Sequence, residues 1–348
     1  MSLKKYTYKT PFQLESGKTL AEIELAYTTL GKLNATADNV IWITHALTAN
    51  SNPEEWWNGL VGKGKFFNPE KYFIVCVNVL GSAYGSTGPL SVNPDTGNKY
   101  YHDFPPLTIR DIVNSFELLK NHLGIQKIYT LLGGSLGGQQ ALEWSILNPP
   151  LIENLFLIAT NAKHSSWGIA FNESQRLAIK ADRTWFSYSD DAGLKGLKAA
   201  RSIALLSYRN YHTYEITQYD DQESTDEFRA SSYQNYQGEK LVNRFNAFSY
   251  WALSKAMDSH NVARGRGSFK EVLGRITAKT LVVGVDSDLL FPVSESVFMA
   301  DQIPGAELEV IKSLYGHDGF LIETEQLKEI FEKFYLTQKL NIQQYEYA

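Results

Sequence analysis

A serine stands in the run Gly133-Gly134-Ser135-Leu136-Gly137-Gly138, between an apolar stretch at residues 128–132 and a helix-like segment at residues 139–147. The run fits G-x-S-x-G, the nucleophile elbow, in which a strand turns sharply into a helix and presents a serine hydroxyl at the turn. Small flanking residues are needed because strand and helix approach so closely that a Cβ on the neighbouring positions would clash. N–H groups at the helix start lie behind the hydroxyl and favour developing negative charge. A glycine-rich turn around a serine also serves as a plain strand–helix connection, so the chemistry depends on partners elsewhere in the chain.

Serine is a poor nucleophile near neutral pH and needs a base, which in turn needs an orienting carboxylate. Of seven histidines, His317 alone sits in a glycine-flanked loop just after a predicted strand, in Ser313-Leu314-Tyr315-Gly316-His317-Asp318-Gly319-Phe320. The acid is expected from the loop after the preceding strand, Val285-Asp286-Ser287-Asp288-Leu289-Leu290-Phe291-Pro292. Loop aspartates commonly cap turns, and spacing alone leaves Asp286 and Asp288 both open. The order Ser, Asp, His is the one that α/β-hydrolases use. An oxyanion hole would draw on the backbone N–H of Leu136, the residue after the nucleophile, and on one from the loop His45-Ala46-Leu47-Thr48, with Leu47 the expected donor. His45 itself reads as a hydrogen-bonded loop histidine.

The elements that must position these groups follow from periodicity. Residues 12–33 read as two strands joined near Ser16-Gly17. Buried strands are expected over 39–44, 73–80 and 154–160, continuous apolar runs of the kind that parallel sheets cover on both faces. Residues 108–123 form a helix pattern with Thr108 as cap and Gly124 as stop. The loop at 81–103 is long and rich in Gly, Pro, Ser and Asn, which marks it as functional. From about residue 162 to 276 the pattern is helical, over 169–182, 193–208, 245–257 and 269–273, with a polar, tyrosine-rich connection at 210–236. Strands resume at 280–285 and 307–311, and an amphipathic helix over 324–336 closes the chain. Alternation of strand and helix predicts an α/β fold, a mostly parallel sheet flanked by helices, with a helical lid inserted into it. Residues 1–162 and 277–348 would be the two parts of the core and 163–276 the lid.

Composition narrows the function. With 348 residues, 43% of them hydrophobic, the chain can bury a sizeable core. Its net charge of −5 gives no basic field for nucleic acid or anionic lipid. The single cysteine, Cys76, cannot form an internal disulfide, which suits a reducing cytoplasm. Neither a signal segment nor an apolar run long enough to span a bilayer is expected. No His-Glu-x-x-His, cysteine cluster, Walker or dinucleotide fingerprint is present, so neither a metal nor a bound cofactor is expected. Arg264-Gly265-Arg266-Gly267 reads either as an anion-binding loop or as solvated surface.

Taken together, these residues resemble the homoserine O-acetyltransferase family, acyltransferases of the α/β-hydrolase superfamily. The likeness covers nearly the whole chain. Its motifs include Leu14-Glu15-Ser16-Gly17, His45-Ala46-Leu47-Thr48, Asn78-Val79-Leu80-Gly81, Tyr84-Gly85-Ser86-Thr87-Gly88-Pro89, Asp103-Phe104-Pro105, Thr108-Ile109-Arg110-Asp111, the elbow, Ala170-Phe171-Asn172-Glu173, Ala263-Arg264-Gly265-Arg266-Gly267, Ser287-Asp288-Leu289-Leu290-Phe291-Pro292 and Gly316-His317-Asp318. The resemblance implies Ser135 as nucleophile, Asp288 rather than Asp286 as acid, His317 as base, and Arg201, Tyr208 and Asp318 as the residues that hold homoserine. It further implies acetyl-CoA as co-substrate, a ping-pong mechanism in methionine biosynthesis, and a homodimer associating through the lid. Succinyl-CoA or L-serine in place of the expected substrates, or simple ester or thioester hydrolysis, are the alternatives. Where the family carries methionine, this chain has Leu136 and Gln139, and where the family has a glycine after the threonine it has Ala49. Gln139 is expected to put an amide near the acyl pocket.

Overall fold

A computed structural model describes residues 2–221, 223 and 225–346. Among these residues eight strands form one sheet: β1 (Lys4–Tyr8), β4 (Ile23–Leu30), β5 (Val40–Thr44), β6 (Phe73–Val77), β7 (Ile128–Gly134), β8 (Ile152–Ile158), β9 (Lys279–Val285) and β10 (Glu307–Ile311), in the spatial order β1-β4-β6-β5-β7-β8-β9-β10. The short strands β2 (Phe12–Gln13) and β3 (Thr19–Leu20) make a separate hairpin. β4 runs antiparallel to β1 and β6, and every pairing from β6 to β10 is parallel.

The buried strands are apolar on both faces because both faces are covered. Alternation along β5 shows it. Val40 and Trp42 join a layer containing Phe116 and Trp144, while Ile41 and Ile43 join another containing Phe331 and Phe334. The first layer is built by α2 (Ile109–His122) and α3 (Leu136–Leu147), the second by α12 (Thr324–Glu346). α2 starts where its sequence provides a capping box: Thr108 accepts from the Asp111 N–H while the Asp111 carboxylate accepts from the Thr108 N–H. α3 has no solvent-exposed face, being buried from Leu136 to Ile146.

Shorter helices complete the set: α1 (Pro53–Trp56), α10 (Val293–Gln302) and α11 (Gly319–Ile322), with α9 (Phe269–Leu273) at the end of the segment between β8 and β9. Between β8 and β9 the chain is helical: α4 (Ser166–Ala181), α5 (Leu194–Tyr208), α6 (Tyr211–Thr217), α7 (Arg229–Val242) and α8 (Ala247–Asp258). In this inserted lid α5 packs between α4 and α7.

Two expectations are corrected. The first strand of the sheet, β1, lies before the stretch expected to begin it; Lys4-Lys5-Tyr6-Thr7-Tyr8 is an edge strand with one partner and carries polar residues an inner strand could not. The tyrosine-rich stretch at 210–236, expected as a connection, contains α6 and the first half of α7; Asn210 caps α6 by accepting from the Thr213 N–H.

Candidate active site

Ser135 sits at the junction of β7 and α3 with φ 58° and ψ −127°. A non-glycine residue there is strained by about 1–3 kcal/mol, so its surroundings must hold it in place. Three hydrogen bonds do so: the Ser135 N–H donates to Ile158 O at 3.0 Å, and its carbonyl accepts from Thr160 Oγ1 at 2.9 Å and from the Gln139 N–H at 3.2 Å. Close approach explains the glycines. A Cβ at Gly137 would overlap the Thr44 carbonyl oxygen, and one at Gly133 the Thr44 hydroxyl.

The loop after β5 is bonded to the elbow helix. Thr44 Oγ1 donates to Gly137 O at 2.7 Å, and Gln140 Nε2 donates to His45 O at 3.2 Å. His45 is fully buried; its Nε2 accepts from the Val79 N–H at 3.1 Å, which leaves Nδ1–H to donate to Ala46 O at 2.8 Å. Burial holds its pKa down to about 4, so it stays neutral and fixes the loop instead of moving protons. The anchored loop places Leu47 in the wall of the cavity that Ser135 also lines, and the first N–H groups of α3, beginning with Leu136, have no intrahelical acceptor.

His317 lies in a 3₁₀ turn, Gly316–Asp318, beyond the end of β10. Its Nδ1–H donates to Asp288 Oδ2 at 2.7 Å, leaving Nε2 with a lone pair. The other oxygen, Asp288 Oδ1, accepts from the N–H groups of Leu290 and Phe291 at 2.8 and 2.9 Å, which fixes the carboxylate. Asp286 points elsewhere, its Oδ1 accepting from the Ser313 N–H at 3.0 Å. Burial works against a charged His317 ring, but the charge and hydrogen bond of Asp288, with a smaller contribution from Asp318, outweigh it and hold the pKa above the ordinary histidine value. Phe291 stacks on the ring with centroids 5.0 Å apart.

Ser135 and His317 open onto one cavity of about 360 Å³, whose walls also include Leu47, Arg201, Tyr208 and Asp318. Arg201 lies on α5, in the cavity wall. It makes no ion pair among the described residues, and its Cζ lies 5.3 Å from the centre of the Tyr208 ring. Tyr208 lies beside Tyr250, whose hydroxyl donates to Gln175 Oε1 at 2.6 Å. Asp318 pairs with Arg209 at 3.2 Å. Two cationic wall residues escaped the sequence reading: Lys240, and Arg244, which donates to Thr48 O and to the Tyr84 hydroxyl, both at 2.5 Å. Tyr84 belongs to the long loop after β6, so that loop braces a residue of the cavity wall.

Gln139 does not line this cavity. Its fully buried amide donates to Asn161 Oδ1 at 3.0 Å and approaches His164 Nδ1 at 3.4 Å, at the base of the lid. The arginines of the 264–267 loop are also occupied: Arg264 pairs with Glu15 at 2.8 Å and Arg266 with the buried Glu143 at 2.5 Å. That loop is therefore a clasp between lid and core, not an anion site. Among the described residues no group of three or more His, Cys, Asp or Glu side chains is placed to hold a metal ion, and no helix is long and apolar enough to cross a membrane.

Residues 39–324 match the family model described as alpha/beta hydrolase fold. The chain is similar to a homoserine O-acetyltransferase of Cyclobacterium marinum, with 54% identity over 93% of this chain and 92% of that protein. Among solved structures it is similar to a homoserine O-acetyltransferase from Bacillus anthracis, with a TM-score of 0.90 and 26% identity over 96% of this chain and 97% of that one. An acetylester hydrolase from Corynebacterium glutamicum is similar too, with a TM-score of 0.84 and 25% identity over 95% and 96% of the two chains.

Proposed function

The chain belongs to the homoserine O-acetyltransferases of the α/β-hydrolase fold, and from that premise we propose that it moves an acetyl group from acetyl-CoA to the hydroxyl of L-homoserine by way of Ser135. The observation that carries this function is the pairing, in one cavity, of Ser135 and His317 with two opposite charges, Arg201 and Asp318. An α-amino acid presents a carboxylate and an ammonium; a guanidinium fork suits the first and a carboxylate the second. Release of an acyl group to water needs neither.

In the first half-reaction His317 Nε2 takes the Ser135 proton as Oγ attacks the thioester carbonyl. The oxyanion is received by the N–H groups of Leu47 and Leu136. Collapse breaks the C–S bond, and the proton held by His317 passes to the departing CoA sulfur. In the second half, homoserine docks with its carboxylate on Arg201 and its ammonium on Asp318, with Tyr208 beside both. His317 removes the hydroxyl proton, the oxygen attacks the acetyl-serine, and the proton returns to Ser135 Oγ. Asp288 keeps Nδ1 protonated throughout and so keeps Nε2 available. The lid, residues 163–276 in this reading, excludes the water that would otherwise hydrolyse the acyl-enzyme.

Residence in the cytoplasm, service to methionine biosynthesis and homodimerisation through the lid complete the proposal. The lid exposes Leu206, Tyr211, Ile216 and Tyr236, which supports a partner surface there. The function is tested by following free CoA thiol from acetyl-CoA with and without L-homoserine, using Ser135→Ala as blank. Release that requires both homoserine and Ser135 supports it. Release without an acceptor makes the chain a hydrolase, and release seen only with succinyl-CoA or only with L-serine changes the substrates.

A further inference from the structure

The acceptor side of the cavity has an uneven charge arrangement. Arg201 has no carboxylate partner among the described residues, whereas Asp318 is paired with Arg209. Arg209 lies at the C-terminal cap of α5, in the lid, and Asp318 lies in the turn that carries His317. Arg201 and Asp318 line the same cavity with Tyr208: Arg201 Cζ is 5.3 Å from the Tyr208 ring centre, and that ring is 5.8 Å from the ring of His317, the neighbour of Asp318. Opposite charges on the walls of one cavity attract each other, and an ion pair between them would leave neither free for a ligand.

We infer that Arg209 is a positioning residue of the acceptor site: it holds the Asp318 carboxylate away from Arg201, so that both charges stay open to a zwitterionic α-amino acid. This rests on the acceptor assignment proposed above. Its placement fits the task. The guanidinium is anchored over the Tyr315 ring at 5.4 Å and, among the described residues, its buried Nε has no hydrogen-bond partner and Asp318 is its one carboxylate contact. The backbone of the same lid segment, Tyr208 and Arg209, presses on Gly316 so closely that a Cβ there would approach the Tyr208 carbonyl oxygen at 3.1 Å. Thr213 Oγ1 also donates to the Leu314 carbonyl. The lid therefore reaches the loop bearing Asp318 by several contacts, of which Arg209 with Asp318 is the ion pair.

The experiment separates donor from acceptor chemistry in the purified full chain. Single-turnover release of CoA from acetyl-CoA reports Ser135 and His317 alone; steady-state transfer reports the acceptor. With Arg209→Met, KM for L-homoserine should rise about tenfold while the CoA burst stays within about twofold of wild type, a split that marks lost acceptor binding. Arg209→Lys should restore part of the KM. In an Asp318→Asn background Arg209→Met should add nothing, because its effect passes through that carboxylate. An unchanged KM, or a burst that falls by the same factor as transfer, overturns the inference. A wild-type chain that does not acetylate L-homoserine overturns the acceptor assignment and Arg209's role with it, whereas wild-type transfer that Arg209→Met leaves intact overturns the Arg209 role alone.

Discussion

Replacing Asp288 by Asn tests the proposed relay with almost no change of shape. In the protein Oδ1 of Asp288 accepts from two backbone N–H groups, and an Asn in the same rotamer keeps its carbonyl oxygen on those donors. Its NH₂ must then face His317, where Oδ2 now accepts at 2.7 Å. Nδ1 changes from donor to acceptor, the proton moves to Nε2, and Nε2, the proposed base, can no longer take a proton. A wrong tautomer in a triad costs about 10⁴-fold in kcat, or about 5 kcal/mol of transition-state stabilisation. Loss of the carboxylate also removes the charge and hydrogen bond that hold the His317 pKa above its ordinary value, leaving burial to pull it down. Activity needs neutral His317, so wild-type turnover should decline as pH falls through that raised pKa, and residual turnover of the variant should decline only at lower pH. The assay is CoA thiol release with L-homoserine across a pH series, with thermal unfolding as a check on folding. Asp286→Asn, which keeps an acceptor for the Ser313 N–H, should leave both rate and profile near wild type. A nearly active Asp288→Asn, or a crippled Asp286→Asn, would refute the reasoning.

Other substitutions probe the elbow and the cavity walls. Ser135→Ala and Ser135→Gly should both abolish transfer, but the glycine variant should unfold at the higher temperature, because it releases the strain at φ 58° that alanine retains, worth about 1 kcal/mol after the entropy cost of glycine; equal unfolding temperatures would show that the turn is unstrained. Arg201→Ala should raise KM for L-homoserine about 10–100-fold, the worth of a charge-assisted contact of about 1.5–3 kcal/mol, and leave that for acetyl-CoA little changed; equal effects on both would point to a structural role. Gln139→Met should lower stability by about 1–2 kcal/mol, because Asn161 Oδ1 loses its donor, yet leave the preference between acetyl-CoA and succinyl-CoA unaltered. A shift in that preference would mean that the amide reaches the acyl pocket.

Much of the catalytic framework was readable from residue order because local rules govern it. The elbow is a short-range motif whose glycines follow from the contact of strand and helix, and β5, β7 and β9 are apolar runs that sheet burial demands. The capping box of α2 is likewise local, with Thr108 and Asp111 three residues apart. What escaped depends on contacts between distant segments. Asp286 and Asp288 differ only in the turn that aims them, which spacing does not encode. β1 is a polar edge strand with a weak signal, and α6 is short, though Asn210 could have marked its start. Gln139 is aimed at the lid base by Asn161 and His164, and Arg264 and Arg266 are claimed by Glu15 and Glu143, partners remote from them in sequence. The pairing of Arg209 with Asp318 joins lid to core across more than a hundred residues, and only the folded chain reveals it.

The central claim is that Ser135 carries the acetyl group between donor and acceptor. The most direct test mixes the protein with acetyl-CoA in the absence of acceptor, maps the adduct by peptide mass, and then adds L-homoserine. The account predicts one acetyl group on the peptide containing Ser135, discharged by L-homoserine to give O-acetylhomoserine faster than by buffer alone. An acetyl group on another residue with Ser135 free, or an acetyl-Ser135 that L-homoserine does not discharge, would contradict it.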